Sequence, residues 1–358
     1  MNGSNRPNQT KKWTVSALLC AVTGLGIGMS AGLRIAAAEN TPPELYQEYP
    51  QPGEAQEFAG YAKEINEIQT RLAKGQPIER ALHSKAHGCL QGTFKVLAAI
   101  PDDMKYGVLV PGAEYPVVGR FSNASGTPKS DKKSDMRGFA MKLTGTPGVA
   151  SQDFLMTNGP VHFAKDAKEM MEFADAGSRG LLAMGGYFVK HPKAAVILLK
   201  DISHKVVSMA TESYWSRVPF KIGPKAMKFN VTPCADDPAT DKLLDPKHKA
   251  PTYLTDDLRE RASQGPICFN FNIQMQKDAV KQPVEDATVE WKEEDAPSVT
   301  VAQVVFPAQT FDSTEQMQAC NDMAFDPWNH HPDFRPIGNM NRARQIVYPS
   351  SQWLRGAK

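Results

Sequence analysis

Arg344 and Tyr348 stand four residues apart near the end of a 358-residue chain. In a helix this spacing sets a guanidinium beside a phenol on one face. A neighbouring cation favours the phenolate, which is a hard oxygen ligand for a metal. Arg355 follows seven residues after Tyr348, about two turns further if the helix continues. Far upstream, Glu79-Arg80-Ala81-Leu82-His83-Ser84-Lys85 carries a histidine beside an arginine. A neutral imidazole can take and return a proton near neutral pH. The forked guanidiniums of Arg80, Arg120 and Arg355 suit carboxylates. Ser122, Thr157 and Asn158 add hydroxyl and amide groups. Each of these residues alone is commonplace.

The rest of the composition bounds the chemistry. The chain is 41% hydrophobic, enough for a sizeable core, and its 27 prolines and 26 glycines are spread along it. This favours a loop-rich globular protein. With a net charge of +2 and no basic block or aromatic-interleaved basic stripe, nucleic-acid binding has no support.

Lys11 and Lys12 precede an apolar stretch from Trp13 to Leu33, then Ala36-Ala37-Ala38. This is the pattern of a signal peptide over residues 1–38. The same stretch is long enough to be a retained membrane anchor. Either way the body is expected to be exported, in the periplasm or facing it. Outside this segment the cysteines are Cys89, Cys234, Cys268 and Cys320, with no C-x-x-C. Neither a zinc ribbon nor c-type attachment is indicated. One or two disulfides, or free buried thiols, remain open.

Residues 39–76 read as an N-terminal arm with one helix, from Tyr61, Ile65, Ile68 and Leu72 at helical spacing. Residues 77–358 form the body, without a second boundary. Strands are expected at 89–100, 108–110, 115–121, 138–143, 153–157, 225–234, 267–276 and 299–306. Helices are expected at 166–176, 194–209 and 341–352, the last broken or bent at Pro349. Residues 235–265, charged and proline-bearing, read as a surface excursion. The irregular order of strands and helices predicts an α+β fold on a mainly antiparallel sheet or barrel.

Five segments resemble the catalase superfamily. They are Glu79 to Lys85; Val118-Gly119-Arg120-Phe121-Ser122-Asn123; Asp135 to Lys142; Asp153 to Val161, with Phe163 and Asp166; and Ala324 to Asn329, leading into Arg344-Gln345-Ile346-Val347-Tyr348-Pro349. The resemblance covers roughly residues 77–358. It is to the short, catalase-related haem peroxidase branch, because the chain stops soon after Tyr348.

The resemblance implies a catalase-like antiparallel β-barrel with surrounding helices, and haem as cofactor. Tyr348 would be the iron ligand, with Arg344 as its partner. His83 would be the acid–base group, oriented by Ser122. Arg80, Arg120 and Arg355 would hold the haem propionates, with Leu82 and Met170 as apolar groups over the haem. His87 falls outside the match and reads as structural. The family places an asparagine pair before Thr-Pro; here Thr157 and Asn158 precede Gly159-Pro160. The catalytic amide aligns with Thr157, so either Asn158 serves or a hydroxyl replaces it. The expected function is reduction of hydrogen peroxide or organic hydroperoxides with a small-molecule electron donor. The alternatives are a haem-binding or haem-sensing protein with little turnover, and an enzyme that rearranges lipid hydroperoxides. A membrane is a partner only if the N-terminal segment is retained.

Overall fold

The computed structural model describes residues 42–235 and 250–357. The expected signal segment, residues 1–38, lies outside the described residues. Among the described residues, nine strands carry the fold: β1 Ala86–Val96, β2 Glu114–Asn123, β3 Arg137–Leu143, β4 Gln152–Thr157, β5 Tyr214–Trp215, β6 Phe220–Ile222, β7 Lys225–Pro233, β8 Ile267–Met275 and β9 Val299–Phe306. Their order is β5-β4-β3-β2-β1-β9-β8-β7-β6, and β5 also pairs with β7. That second pairing closes eight strands into an antiparallel barrel, as the α+β barrel expectation requires. β6 adds to β7 outside the ring.

Alternation along the strands fills the barrel with aromatic rings. Phe121 stacks on Phe139 at 4.4 Å between centroids, and Phe154 meets Phe271 at 4.8 Å. All four are essentially inaccessible. Such pairs contribute about 0.5–1.5 kcal/mol each beyond area burial.

The helices of the described residues are α1 Glu54–Ala73, α2 Ala167–Arg179, α3 Leu181–Lys190, α4 Pro192–Ser203, α5 Tyr253–Gln264, α6 Thr314–Asp322 and α7 Asn339–Leu354. Phe58, Ala167 and Ala343 join α1, α2 and α7 in one buried cluster. Ile65, Ile68 and Met171 form another, with Val347 against it. Two disulfides, Cys89–Cys320 and Cys234–Cys268, settle the open question about the thiols. Among the described residues no helix is long and apolar enough to cross a membrane.

Several elements depart from expectation. Val108–Val110 is a turn region, not a strand, since Gly107 at φ 55° reverses the chain. The helix expected at 194–209 runs over Pro192–Ser203 and ends at extended His204. The excursion at 235–265 contains α5, which buries Leu254, Leu258 and Ala262 at four-residue spacing. The last helix passes through Pro349 unbroken. Tertiary packing holds it there: it lies along α1, and Asn66 Nδ2 donates to Ser350 Oγ at 2.9 Å.

Candidate active site

A cavity of about 490 Å³ lies between the outer face of β2–β4 and the layer of α1, α2 and α7. Its size suits a drug-sized or cofactor-sized ligand. Because strand side chains alternate, Phe121, Phe139 and Phe154 enter the barrel, while Arg120, Ser122, Gly138, Ala140, Leu155 and Thr157 line the cavity. Register aligns three of these in one row: Ser122 pairs with Gly138, and Gly138 with Thr157.

His83 enters this row from the loop before β1. Its Nδ1 lies 3.0 Å from Ser122 Oγ. A Cβ on Gly138 would fall 2.5 Å from the same Nδ1, so the glycine leaves the room the ring occupies. The backbone of His83 is left-handed, at φ 59°, a conformation that costs of order 1–3 kcal/mol. Its N–H donates to Ala124 O at 2.9 Å, and its carbonyl accepts from Arg120 Nη2 at 2.9 Å. Burial, and after it Arg120, Arg80, Arg344 and Arg217, push the imidazole down to about 3, so it is neutral across physiological pH.

Tyr348 lines the cavity from α7, where Arg344 Nη2 donates to its phenol oxygen at 2.9 Å. The same guanidinium sits 4.9 Å from the ring centroid, and Asn341 Oδ1 accepts from Nη1 at 3.0 Å. Arg342, two residues earlier, lies on the opposite side of the helix. It is held by Glu48, Glu54 and Glu285, and these bonds drive its guanidinium pKa up against the burial that lowers it. That outward clamp fixes the rotation of α7 and turns Arg344 and Tyr348 to the cavity.

Arg80, Arg120 and Arg355 meet at one end of the cavity. Arg80 donates to the carbonyls of Asn321 (2.8 Å) and Met323 (2.5 Å), and Arg355 reaches the same two at 3.2 and 3.5 Å. Those carbonyls end α6, which the Cys89–Cys320 disulfide ties to β1. None of the three forms a salt bridge with a carboxylate among the described residues, and Arg120 Nε is buried with no partner. Burial, then Arg120 and Arg355, press Arg80 down to about 8; burial, then Arg355, presses Arg120 to about 10. Such a cluster asks for anions.

Thr157 lines the cavity, and its buried hydroxyl has no partner. Asn158 does not line it. Its Oδ1 accepts from Arg137 N at 2.6 Å, and its side chain also bonds Glu212. Of the two options for the distal polar group, the amide of Asn158 is thus engaged away from the cavity, while Thr157 faces it. Leu82 and Met170 do line the cavity. His87 is buried apart from it, between Asn123 Oδ1 (2.8 Å) and Thr255 Oγ1 (3.0 Å).

His162 and Arg217 are among the cavity residues that the sequence reading did not single out. Arg217 is buried at φ 61°, paired to Asp201 at 2.9 Å and donating to Asn158 O at 3.0 Å. Nothing about its position in sequence links it to His83. His162 stands only five residues after Thr157, and that proximity is the one signal that could have drawn it in.

These residues fit a haem: a hard oxygen ligand on one wall, an imidazole on the other, apolar sides, and unpaired arginines at one end where carboxylates would lie. Among the described residues no cluster of three or more His, Cys, Asp or Glu could itself hold a metal.

Comparisons with known proteins place the chain near catalases. The family model described as Catalase matches residues 63–180. A catalase-related peroxidase of Mycolicibacterium paratuberculosis (strain ATCC BAA-968 / K-10) is 28% identical over 302 residues, covering 78% of this chain and 90% of the relative. A bacterial catalase structure shares the fold with a TM-score of 0.61 at 17% identity, over 80% of this chain and 59% of that one. A fungal catalase structure gives 0.66 at 18% identity, over 88% and 66% respectively. The chain thus spans less than two thirds of either of those catalases.

Proposed function

We propose that this chain is a member of the catalase superfamily and a haem-dependent, catalase-related peroxidase. It reduces hydrogen peroxide or organic hydroperoxides at the expense of a small-molecule donor. The observation that carries this reading is the meeting, in one cavity, of His83 with Ser122 and Tyr348 with Arg344.

Bound haem would supply the redox chemistry, relaying electrons from the donor to the peroxide. Tyr348 Oη would ligate it, and the guanidinium of Arg344 would favour the phenolate. Arg80, Arg120 and Arg355 would hold the two propionates. His83 does the proton work. With Nδ1–H donating to Ser122 Oγ, Nε2 has a free lone pair on the cavity side. It takes the proton of one peroxide oxygen and returns it to the other as the O–O bond breaks. Its depressed pKa keeps that lone pair available. Two disulfides favour an exported, oxidising setting, consistent with a leader at residues 1–38.

The test is a haem titration of the purified protein, followed by oxidation of a phenolic donor by peroxide. We expect a Soret band of high-spin, tyrosinate-ligated ferric haem, which Tyr348→Phe removes or shifts. His83→Ala should cost about 10²–10⁴ in turnover. Failure to take up haem would sink the proposal.

A further inference from the structure

Half of the large apolar side chains left exposed among the described residues sit on two consecutive helices. They are Leu181, Leu182 and Val189 on α3 and Val196 and Leu199 on α4, exposed from 65% for Leu199 to 96% for Leu182. One such side chain would need no explanation, but a concentration of them does. Leu182, Gly185, Gly186 and Val189 recur at helical spacing and are all exposed, so they form one outward stripe along α3. A Cβ on Gly185 or Gly186 would meet nothing within 4 Å, so no described residue covers that stripe. On α4, Val196 and Leu199 face out while Leu198 and Ile202 line the cavity.

The exposed charge around these side chains has one sign. From Ala176 to Thr211 the basic residues are Arg179, Lys190, Lys193, Lys200 and Lys205, all exposed. The one acidic residue in that segment, Asp201, is buried against Arg217. Arg179 and Lys190 are paired with Asp175 and Glu172 of α2, whereas Lys193, Lys200 and Lys205 form no salt bridge among the described residues. Lys193 donates to the Thr288 hydroxyl.

We propose that α3 and α4 form a docking surface for an anionic lipid bilayer. The leucines and valines enter the interface, and the lysines meet lipid phosphates. Exposed leucine and valine flanked by lysine is the composition of a helix that lies in a membrane surface. With 10 residues, α3 is too short to span a bilayer and would lie along it. A second copy of this chain fits the surface less well. A two-fold interface sets a patch against itself, and here lysines would meet lysines with no exposed carboxylate from 176 to 211 to offset them. On docking, a single helix, α4, would separate lipid from cavity. The docking itself needs no haem and does not depend on the peroxidase reading.

The test is hydrogen exchange of the full chain, read on peptides from residues 181–205, with vesicles of mixed phosphatidylglycerol and phosphatidylcholine or of phosphatidylcholine alone. Exchange in these peptides should slow with the anionic vesicles only, and salt should reverse the effect. The paired substitutions Leu181→Ser with Leu182→Ser, and Lys200→Glu with Lys205→Glu, alter exposed positions and should leave the fold intact. Each pair should raise the lipid concentration for half-maximal protection by about tenfold or more. Unchanged exchange on α3 and α4 overturns the proposal, even if residues 1–38 bring the chain to the vesicles. Equal protection by neutral vesicles overturns it too. So does protection that grows with protein concentration in the absence of lipid, which would assign the face to a second copy.

Discussion

The imidazole of His83 fills the space that a side chain at position 138 would need: a Cβ there would lie 2.5 Å from Nδ1 and 2.9 Å from Ser122 Oγ. Gly138 lies on β3, between two paired strands, and cannot move away from the ring. Gly138→Ala should therefore displace His83 from Ser122. We expect peroxide turnover to fall about tenfold or more, with the haem spectrum retained. Steady-state kinetics beside a haem titration checks this, and wild-type kcat/KM in the variant would contradict it.

Arg355 shares its carbonyl acceptors with Arg80 and has no carboxylate partner. Arg355→Gln should weaken haem binding by about 10–100-fold, on the basis of a charge-assisted bond of roughly 1.5–3 kcal/mol. Competition with an apoprotein haem acceptor measures it. Because burial near two other guanidiniums is costly, the haem-free variant should be no less stable than wild type.

Acid should destabilise this fold through its histidines. His83 and His162 are held down to about 3 and His87 to about 4, with burial the largest cause in each. Above about pH 6.5 both folded and unfolded chains hold these rings neutral, and there is no differential effect. As pH falls below that, only the unfolded chain takes up protons, so stability declines toward about pH 3. At pH 5 each of His83 and His162 should cost of order 1–2 kcal/mol. Urea unfolding of the haem-free protein at pH 7 and pH 5 tests the sign, and His162→Phe should flatten the slope. By the same depression, the acid limb of peroxidase activity should lie well below the ordinary histidine range.

The Cys89–Cys320 bond spans 231 residues of sequence and ties α6 to β1. Loop-closure entropy suggests about 5.5 kcal/mol of stabilisation for so long a loop. Replacing both cysteines with serine should lower the melting temperature. It should also loosen the Asn321 and Met323 carbonyls that hold Arg80 and Arg355, raising the haem dissociation constant. An unchanged haem affinity would show that the clamp stands without the bridge.

Much of this was legible in the sequence, for local reasons. Arg344 and Tyr348 share one helix, so their spacing alone brings them together. His83, Ser122 and Thr157 sit in segments whose order resembles a known superfamily. The barrel was legible through that resemblance but not through periodicity, because its closure depends on β5, a two-residue strand too short for any periodic signal. Helix α3 carries Gly185 and Gly186, and α5 lies in a charged stretch whose apolar spacing is sparse. Arg217 reaches the cavity only because β5 brings its loop beside β4. The fate of Asn158 was invisible too, since its partners Arg137 and Glu212 lie 21 residues before it and 54 after.

The cluster of Arg80, Arg120 and Arg355 also bears on how quickly molecules arrive. Three guanidiniums with no direct carboxylate partner among the described residues, and only Asp322 and Glu79 acting on them from nearby, project a field that extends about a Debye length, ~10 Å at 0.1 M salt. A dianionic cofactor would be drawn toward that end and turned with its carboxylates leading, whereas a neutral hydroperoxide would feel little. Haem capture should then slow steeply as ionic strength rises, while the encounter with peroxide should not, so the two arrivals can be told apart by salt alone.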